Sequence, residues 1–241
     1  MRVKGVVSYD GTSYYGFQVQ NGEVTIQGEI QRVLSLIMNR EVKIFASGRT
    51  DRGVHAYKQV FHFDMDENRP LDKLLYALNR ILKEDISVLS LQEVDESFHA
   101  RYSSTGKHYQ YKISLKRDPF LLNYAFICYK NIDLNIVRKG INLFVGKHDF
   151  TYFCCNDETE DAVRTIYKFE VKKEHDFIIF DIYGDGFRRY MVRMIVGTLI
   201  ALGEGQISLN YIEDRLNLIK KENTSYKAPS QGLYLMEVFY D

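Results

Sequence analysis

Ten consecutive residues, Ser47-Gly48-Arg49-Thr50-Asp51-Arg52-Gly53-Val54-His55-Ala56, carry one carboxylate, two guanidiniums, a threonine, an imidazole and two glycines. A lone carboxylate between cations stays ionised and oriented, the condition for a catalytic aspartate. An apolar segment (residues 42–46) precedes the stretch and an alternating one (59–64) follows it. It therefore reads as a loop held between two strands, with glycines turning the backbone where a Cβ would clash. A polar hairpin loop with a surface Arg–Asp pair has the same composition, and such pairs add little to stability. Partner residues elsewhere in the chain have to separate the two readings.

The elements that must hold this loop follow a regular order. Residues 3–9 are β-rich and end in the turn residues Asp10-Gly11-Thr12-Ser13. Thr25 reads as an N-cap, and Ile26, Ile30, Val33, Leu34 and Ile37 recur at helical spacing. Residues 42–46 form a short strand, and Val60, Phe61 and Phe63 belong to the next. Pro70 opens a helix with the stripe Leu71, Leu74, Leu75, Leu78, Ile81 and Leu82, and residues 86–94 return as a strand. This order, β-α-β-β-α-β, is the split-βαβ, ferredoxin-like arrangement, with the Asp51 loop between its central strands.

The second half repeats the plan with strands over 108–115, 124–129, 164–172 and 177–183. Helices cover 134–145, tolerating Gly140 at some cost, and 187–202, stopped by Gly203. A shorter helix starts from Ser208, and residues 233–240 form the last strand. The predicted fold class is α+β: two tandem ferredoxin-like units, residues 1–103 and 104–241, with antiparallel sheets and a catalytic cleft between them.

With 241 residues, 45% hydrophobic and 27% charged, the chain reads as a soluble globular protein of one large or two ordinary domains. Cys128, Cys154 and Cys155 make neither a disulfide framework nor a zinc-binding spacing, which points to reduced thiols and the cytoplasm. No apolar run approaches the roughly 18 residues of a membrane span, and Met1 leads directly into a strand without a signal-peptide core. The net charge is zero, so a nucleic-acid partner has to be held by local clusters. Candidates are Arg49, Arg52 and Lys58; Lys107 and Lys112; Lys116-Arg117; Arg188, Arg189 and Arg193; and Lys220-Lys221. Several alternate with Tyr109, Tyr111, Phe187 and Tyr190, as phosphate contact plus base stacking requires.

Two second-half residues are candidates to face Asp51. Arg193 lies among Met191, Val192, Met194, Ile195, Val196 and Leu199, where a guanidinium needs an anionic partner or must snorkel from the helix end. Tyr109 offers an aromatic face, and pattern alone does not separate it from Tyr111 two residues on.

The loop Gly48-Arg49-Thr50-Asp51-x-Gly53-Val54-His55 closely resembles the signature of the TruA family of tRNA pseudouridine synthases. The resemblance extends along nearly the whole chain. It takes in Tyr9-Asp10-Gly11-Thr12-x-Tyr14-x-Gly16-Phe17-Gln18, Thr25-Ile26-Gln27-Gly28, Ala77-Leu78-Asn79 and Phe98-His99-Ala100-Arg101. Further on come Tyr109-x-Tyr111, His148-Asp149-Phe150-Thr151, Met191-Val192-Arg193-x-Ile195-Val196-Gly197 and Gly232-Leu233-Tyr234-Leu235.

This resemblance implies isomerisation of uridine to pseudouridine at positions 38, 39 and 40 of the tRNA anticodon arm, without metal or organic cofactor. Asp51 matches the catalytic aspartate, acting on a flipped-out uridine, and Arg193 the arginine that pairs with it. Tyr109 matches the tyrosine stacking on the target base, Leu233 an apolar residue lining the pocket, and Arg49 the arginine holding the flipped nucleotide. Arg52, Tyr111 and Arg101 are further candidates for substrate contact. A homodimer whose subunits both touch the tRNA is implied as well.

The sequence departs from the family at Arg52, commonly alanine, and at Phe17, commonly tryptophan. Ile81-Leu82-Lys83 stands where Leu-Pro is expected, and residues 154–164 are short and acidic rather than long and basic. A non-catalytic ferredoxin-like RNA-binding module would not need Asp51 and Arg193 as a pair. A nucleoside or glycoside hydrolase commonly uses two carboxylates, and the loop offers one.

Overall fold

In a computed structural model that describes residues 1–66, 69–155 and 161–241, the chain divides into two units. Residues 1–105 and 234–241 make unit 1, and residues 106–233 make unit 2. The acidic segment noted above lies in part, at 156–160, outside the described residues.

Unit 1 follows from its patterning. Alternate burial of Val3, Gly5, Val7 and Tyr9 makes β1 (Arg2–Tyr9). The Thr25 side chain accepts the Gly28 N–H at 3.2 Å and caps α1 (Ile26–Met38), which buries Ile26, Ile30, Val33, Leu34 and Met38. Then come β2 (Phe45–Ala46), β3 (His55–Asp64), α2 (Leu71–Ile81) and β4 (Ile86–Val94). β1 pairs antiparallel with β3 on one side and β4 on the other, and β2 pairs with the far end of β3. The order β4-β1-β3-β2 with two crossing helices is the expected split-βαβ arrangement.

Two local differences have physical causes. The ladder of β2 covers two residues instead of the five expected, although Val42 and Ile44 are buried. Side chains of α1 satisfy this backbone in place of a neighbouring strand. Ser35 Oγ accepts from Val42 N at 2.9 Å, Gln31 Oε1 from Ile44 N at 3.1 Å, and Gln27 Nε2 donates to Ile44 O at 2.9 Å. In α2, Ile81 is exposed rather than part of the stripe, because the helix ends there. Leu82 turns into extended backbone and takes the buried place.

Unit 2 contains β5 (Ser104–Ser114, its first two residues in unit 1), β6 (Phe126–Ile127), α3 (Leu134–Phe144), β7 (Gly146–Asp149), β8 (Val163–Glu174), β9 (Phe177–Gly184), α4 (Met191–Gly203) and α5 (Leu209–Leu216). β5, β9, β8 and β7 are antiparallel neighbours in that order, while β6 runs parallel to the end of β5. β7 escapes pattern reading because Gly146-Lys147-His148-Asp149 has no apolar alternation. Gly140 is no defect: a Cβ there would stand 2.5 Å from Leu202 and 2.9 Å from Leu199, so the glycine lets α3 and α4 approach. α4 begins at Met191, four residues later than expected, because Tyr190 is left-handed (φ 64) and interrupts any helix there. The remaining strand, β10 (Leu233–Tyr240), sets Tyr234 and Leu235 parallel to His55 and Ala56 on the flank of β3 not taken by β1.

His62 of β3 is buried against Phe45 (5.2 Å between rings) and His99 (4.7 Å), and its Nδ1 accepts the Ala100 N–H at 3.2 Å. Burial, aided by His99 and Arg2, pushes its pKa down to about 4. A depressed folded-state pKa means that the unfolded chain takes the proton first as pH falls. The stabilisation is therefore complete above about pH 6.5 and is lost towards pH 4. His62→Gln, which keeps an acceptor but does not titrate, should flatten the fall of stability between pH 6.5 and 4 by about 1–3 kcal/mol in denaturant titrations. A wild-type slope retained by the variant would contradict this.

Candidate active site

In unit 1 the loop between β2 and β3 is fixed at its entry, middle and exit. At the entry, Ser47 N donates to Val60 O at 2.8 Å, and Gln59 reaches back to the same stretch. Gln59 is fully buried; its Oε1 accepts from Ser47 Oγ and Val60 N, and its Nε2 donates to Gly48 O at 3.0 Å. Such a three-bonded amide inside a strand is a clamp. In the middle, Thr50 points inward, with Oγ1 2.8 Å from the Tyr9 hydroxyl, while its carbonyl accepts from Phe17 N at 3.1 Å. Burial pushes the Tyr9 phenol above its ordinary range, so it acts here as a neutral hydroxyl. At the exit, Val54 N donates to Asp51 O at 3.1 Å, closing a turn whose third residue, Gly53, has φ +76.

The brace for this loop is the segment after β1. A Cβ on Gly11 would lie 2.0 Å from Val54 O, and one on Gly16 (φ +87) 2.6 Å from Thr50 O. Only glycine allows backbone to lie on backbone here. His55 Nδ1 is 3.2 Å from Gly11 N and 3.1 Å from Asp10 Oδ1. The buried ring thus accepts from one or donates to the other according to its tautomer, and it stacks on Tyr234 at 4.8 Å. Asp51 is half-buried, while Arg49 and Arg52 are exposed, Arg52 lying over the Tyr15 ring at 4.1 Å. Arg101 is exposed beside Tyr102, on a turn where His99 Nδ1 accepts from Arg101 N at 3.1 Å.

Unit 2 holds the other candidates. Every residue of α4 is buried except Arg193. Its Nε donates to Ala228 O at 2.8 Å, and Ala228 N donates to Arg193 O at 2.9 Å. A Cβ on Gly197 would meet Ala228 N at 2.7 Å and Lys227 N at 2.8 Å, so this glycine admits the 227–228 backbone against α4. Tyr109 is buried on β5 with Phe187 edge-on at 5.2 Å. Tyr111, 1% exposed, donates its hydroxyl to Pro229 O at 2.7 Å and packs beneath Gly232, where a Cβ would stand 2.7 Å from its ring. Its phenol is pushed far up by burial and supports the 229–232 turn. Leu233 is buried at the start of β10.

Sequence reasoning missed Gln59 and the role of Gly11 and Gly16 as loop supports. A polar residue on the inward face of an apolar strand was the available signal for Gln59. The glycine contacts leave none, because they join segments about forty residues apart. Among the described residues, no group of three or more His, Cys, Asp or Glu side chains is placed to hold a metal ion.

Among solved structures, an H/ACA ribonucleoprotein bound to a substrate RNA aligns over 96% of this chain and 59% of its own, at 13% identity and a TM-score of 0.38, too faint a likeness to bear on the site. The sequence relatives are far nearer. A tRNA pseudouridine synthase A of Bacillus pumilus is 44% identical over 246 residues, covering 100% of both chains. Those of Geobacillus sp. (42%) and Exiguobacterium sp. (43%) match 100% of this chain and 98% of their own. A family model described as tRNA pseudouridine synthase matches residues 6–103 and 141–241, which include the braced Asp51 loop and Arg193. With that match and full-length relatives above 40% identity, the chain belongs to the tRNA pseudouridine synthase family.

Proposed function

We propose that this enzyme of tRNA pseudouridylation acts on uridines 38, 39 and 40 of the anticodon arm, with Asp51 as its catalytic carboxylate. The observation that carries the assignment is the bracing of the Asp51 loop at both sides by buried hydrogen bonds and glycine contacts. A carboxylate meant for chemistry needs such a fixed backbone; one on a solvated hairpin does not.

The isomerisation breaks the C1′–N1 bond and joins C1′ to C5 of the same uracil. The C5 proton is lost and N1 gains one, so atoms balance without oxidant or co-substrate. The Asp51 carboxylate has two places to act, C6 of the base or the sugar at C1′ (or its C2′ proton). Either requires the uridine to be withdrawn from its stack, at a cost of a few kcal/mol.

Unit 1 supplies Asp51 with the exposed cations Arg49, Arg52 and Arg101. Arg49 is assigned to the nucleotide held outside the helix. In the same proposal Arg193 has the role of the carboxylate's cationic partner, Tyr109 that of the stacking face and Leu233 that of apolar lining. A homodimer that shares the tRNA between subunits belongs to the same proposal.

Asp51→Asn should lower tritium release from C5-tritiated tRNA by at least about 10³-fold while changing tRNA affinity only a few-fold. Retained turnover would overturn the assignment. A tRNA transcript with cytidine at 38–40 should release no tritium from the wild-type enzyme; continued release would move the target elsewhere. Arg193→Lys keeps the charge but not the planar fork, so its kcat should fall between those of wild type and Arg193→Ala. Gly16→Ala forces a Cβ against Thr50 O at φ +87, and should cost about 1–3 kcal/mol of stability and lower kcat in the fraction that folds. Unchanged kcat in Gly16→Ala would mean that the brace does not set the Asp51 position.

A further inference from the structure

Arg52 is the second residue of the turn that Val54 N closes on Asp51 O, one position beyond the carboxylate. Its side chain does not fold back on Asp51. The guanidinium carbon lies 4.1 Å from the centre of the Tyr15 ring, and among the described residues the side chain makes neither an ion pair nor a hydrogen bond. We propose that Arg52, pinned by Tyr15, seats one backbone phosphate of the tRNA where the substrate meets the Asp51 loop. This rests on that loop reaching the tRNA, and it does not require Asp51 to be the catalytic group.

The pinning is built into the fold. Tyr15 N donates to Val24 O at 2.9 Å, and Tyr15 O accepts from Gln20 Nε2 at 2.7 Å. Its neighbours are set from inside. Tyr14 is buried and donates its hydroxyl to Asp85 at 2.5 Å, and Gly16 lies against the Thr50 carbonyl. The ring therefore rises from the same segment that braces the Asp51 loop, and one backbone contact holds both partners of the stack. Both side chains are exposed, so a polynucleotide can reach them.

A guanidinium one residue from a carboxylate has an ion pair at hand, and here the stack takes its place. Contact with a ring face uses the cation's charge and leaves its N–H donors, a planar fork, for an outside acceptor. An oxyanion completes such a fork with two parallel bonds. The chain belongs to a family that acts on tRNA, whose most frequent oxyanion is the backbone phosphate. Phosphate contacts fix the register of the nucleic acid without reading its sequence. The contact also serves the loop. Asp51 carries negative charge towards a polyanion, and a cation fixed next to it but not paired with it offsets that repulsion without neutralising the carboxylate.

The test is binding of an unmodified tRNA transcript to the intact protein by filter retention, between about 50 and 200 mM KCl. Arg52→Gln should weaken Kd about three- to tenfold at the lowest salt. The plot of log K against log[KCl] should become shallower by about 0.7–0.9, the loss of one phosphate contact. kcat/KM for tRNA should fall by the factor by which Kd rises. Arg52→Lys keeps the charge and should hold the wild-type slope, with an intermediate Kd because the planar fork is gone. Tyr15→Phe keeps the ring and should bind tRNA as the wild type does. Tyr15→Leu frees the guanidinium and should weaken binding. Added to Arg52→Gln it should weaken binding no further, because the ring acts through the arginine.

An unchanged Kd and slope in Arg52→Gln would overturn the proposal. So would a weaker Kd at the wild-type slope, which would mark Arg52 as packing the loop rather than meeting a phosphate. Losses from Tyr15→Leu and Arg52→Gln that add in full would overturn it too, since the ring would then not act through the arginine. Tritium release by Asp51→Asn reads the catalytic assignment separately. Lost turnover there, with an unchanged Arg52→Gln slope, sinks this contact alone; retained turnover with a shallower slope sinks the Asp51 assignment alone.

Discussion

Backbone packed on backbone, with no side chain between, is the constraint on which the site depends. In unit 1 the turn after β1 lies on the Asp51 loop so closely that Gly11 and Gly16 have no room for a Cβ. Hydrogen bonds then add direction. Phe17 N takes the Thr50 carbonyl, and Tyr9 meets the Thr50 hydroxyl. Each partner fixes the residue immediately before Asp51, so the loop at the carboxylate is held by β1 and the segment that follows it rather than by the loop itself. This explains why a motif near residue 10 and a motif near residue 50 occur together: they are two sides of one contact.

Unit 2 also places glycines at its close approaches, one against backbone and two against side chains. Gly197 admits the 227–228 backbone to α4, Gly232 lies on the Tyr111 ring, and Gly140 lets α3 meet α4. The gain is order in a helix that is apolar on every side but one. A buried apolar helix has no preferred rotation from hydrophobicity alone. The Arg193–Ala228 bonds and the two glycine contacts supply one, and Arg193 is then the single side chain of α4 that is not buried.

Elements whose register depends on nearest neighbours were legible in the sequence. β1, α1, β4 and β10 emerged close to their observed bounds because alternation or a capped helical stripe is a local property. Where a partner distant in sequence decides, pattern failed. β2 shrank because α1 side chains satisfy its backbone, and α4 began late because Tyr190 is left-handed. Around the candidate residues, the segment at Asp51 was legible as a loop leading into a strand, and Arg193 as the lone charge on an apolar helix. Tyr109 and Tyr111 could not be told apart, since both alternate on one strand. What distinguishes them is Pro229, 118 residues beyond Tyr111, which takes the Tyr111 hydroxyl.

A net charge of zero sits poorly with a polyanionic substrate until the acids are located. Many face lysines that sequence reading had counted towards RNA contact. Lys58 meets Glu237 at 2.7 Å, Lys116 meets Asp176 at 2.8 Å, and Lys220 meets Glu222 at 3.6 Å. On β8 the ion pairs Lys168–Glu170 and Lys172–Glu174 alternate along the strand. Exposed pairs of this kind contribute about 0–1 kcal/mol each, so stability is a poor reason for them. Their larger effect is on the field outside the protein, since a paired lysine presents a dipole to an approaching phosphate where a lone one presents a charge. The pairs thereby lower the positive potential that these faces present to solvent. The neutral total is thus a sum over unlike surfaces, and affinity for RNA has to be assigned to clusters of cations one at a time, never to the chain's overall charge.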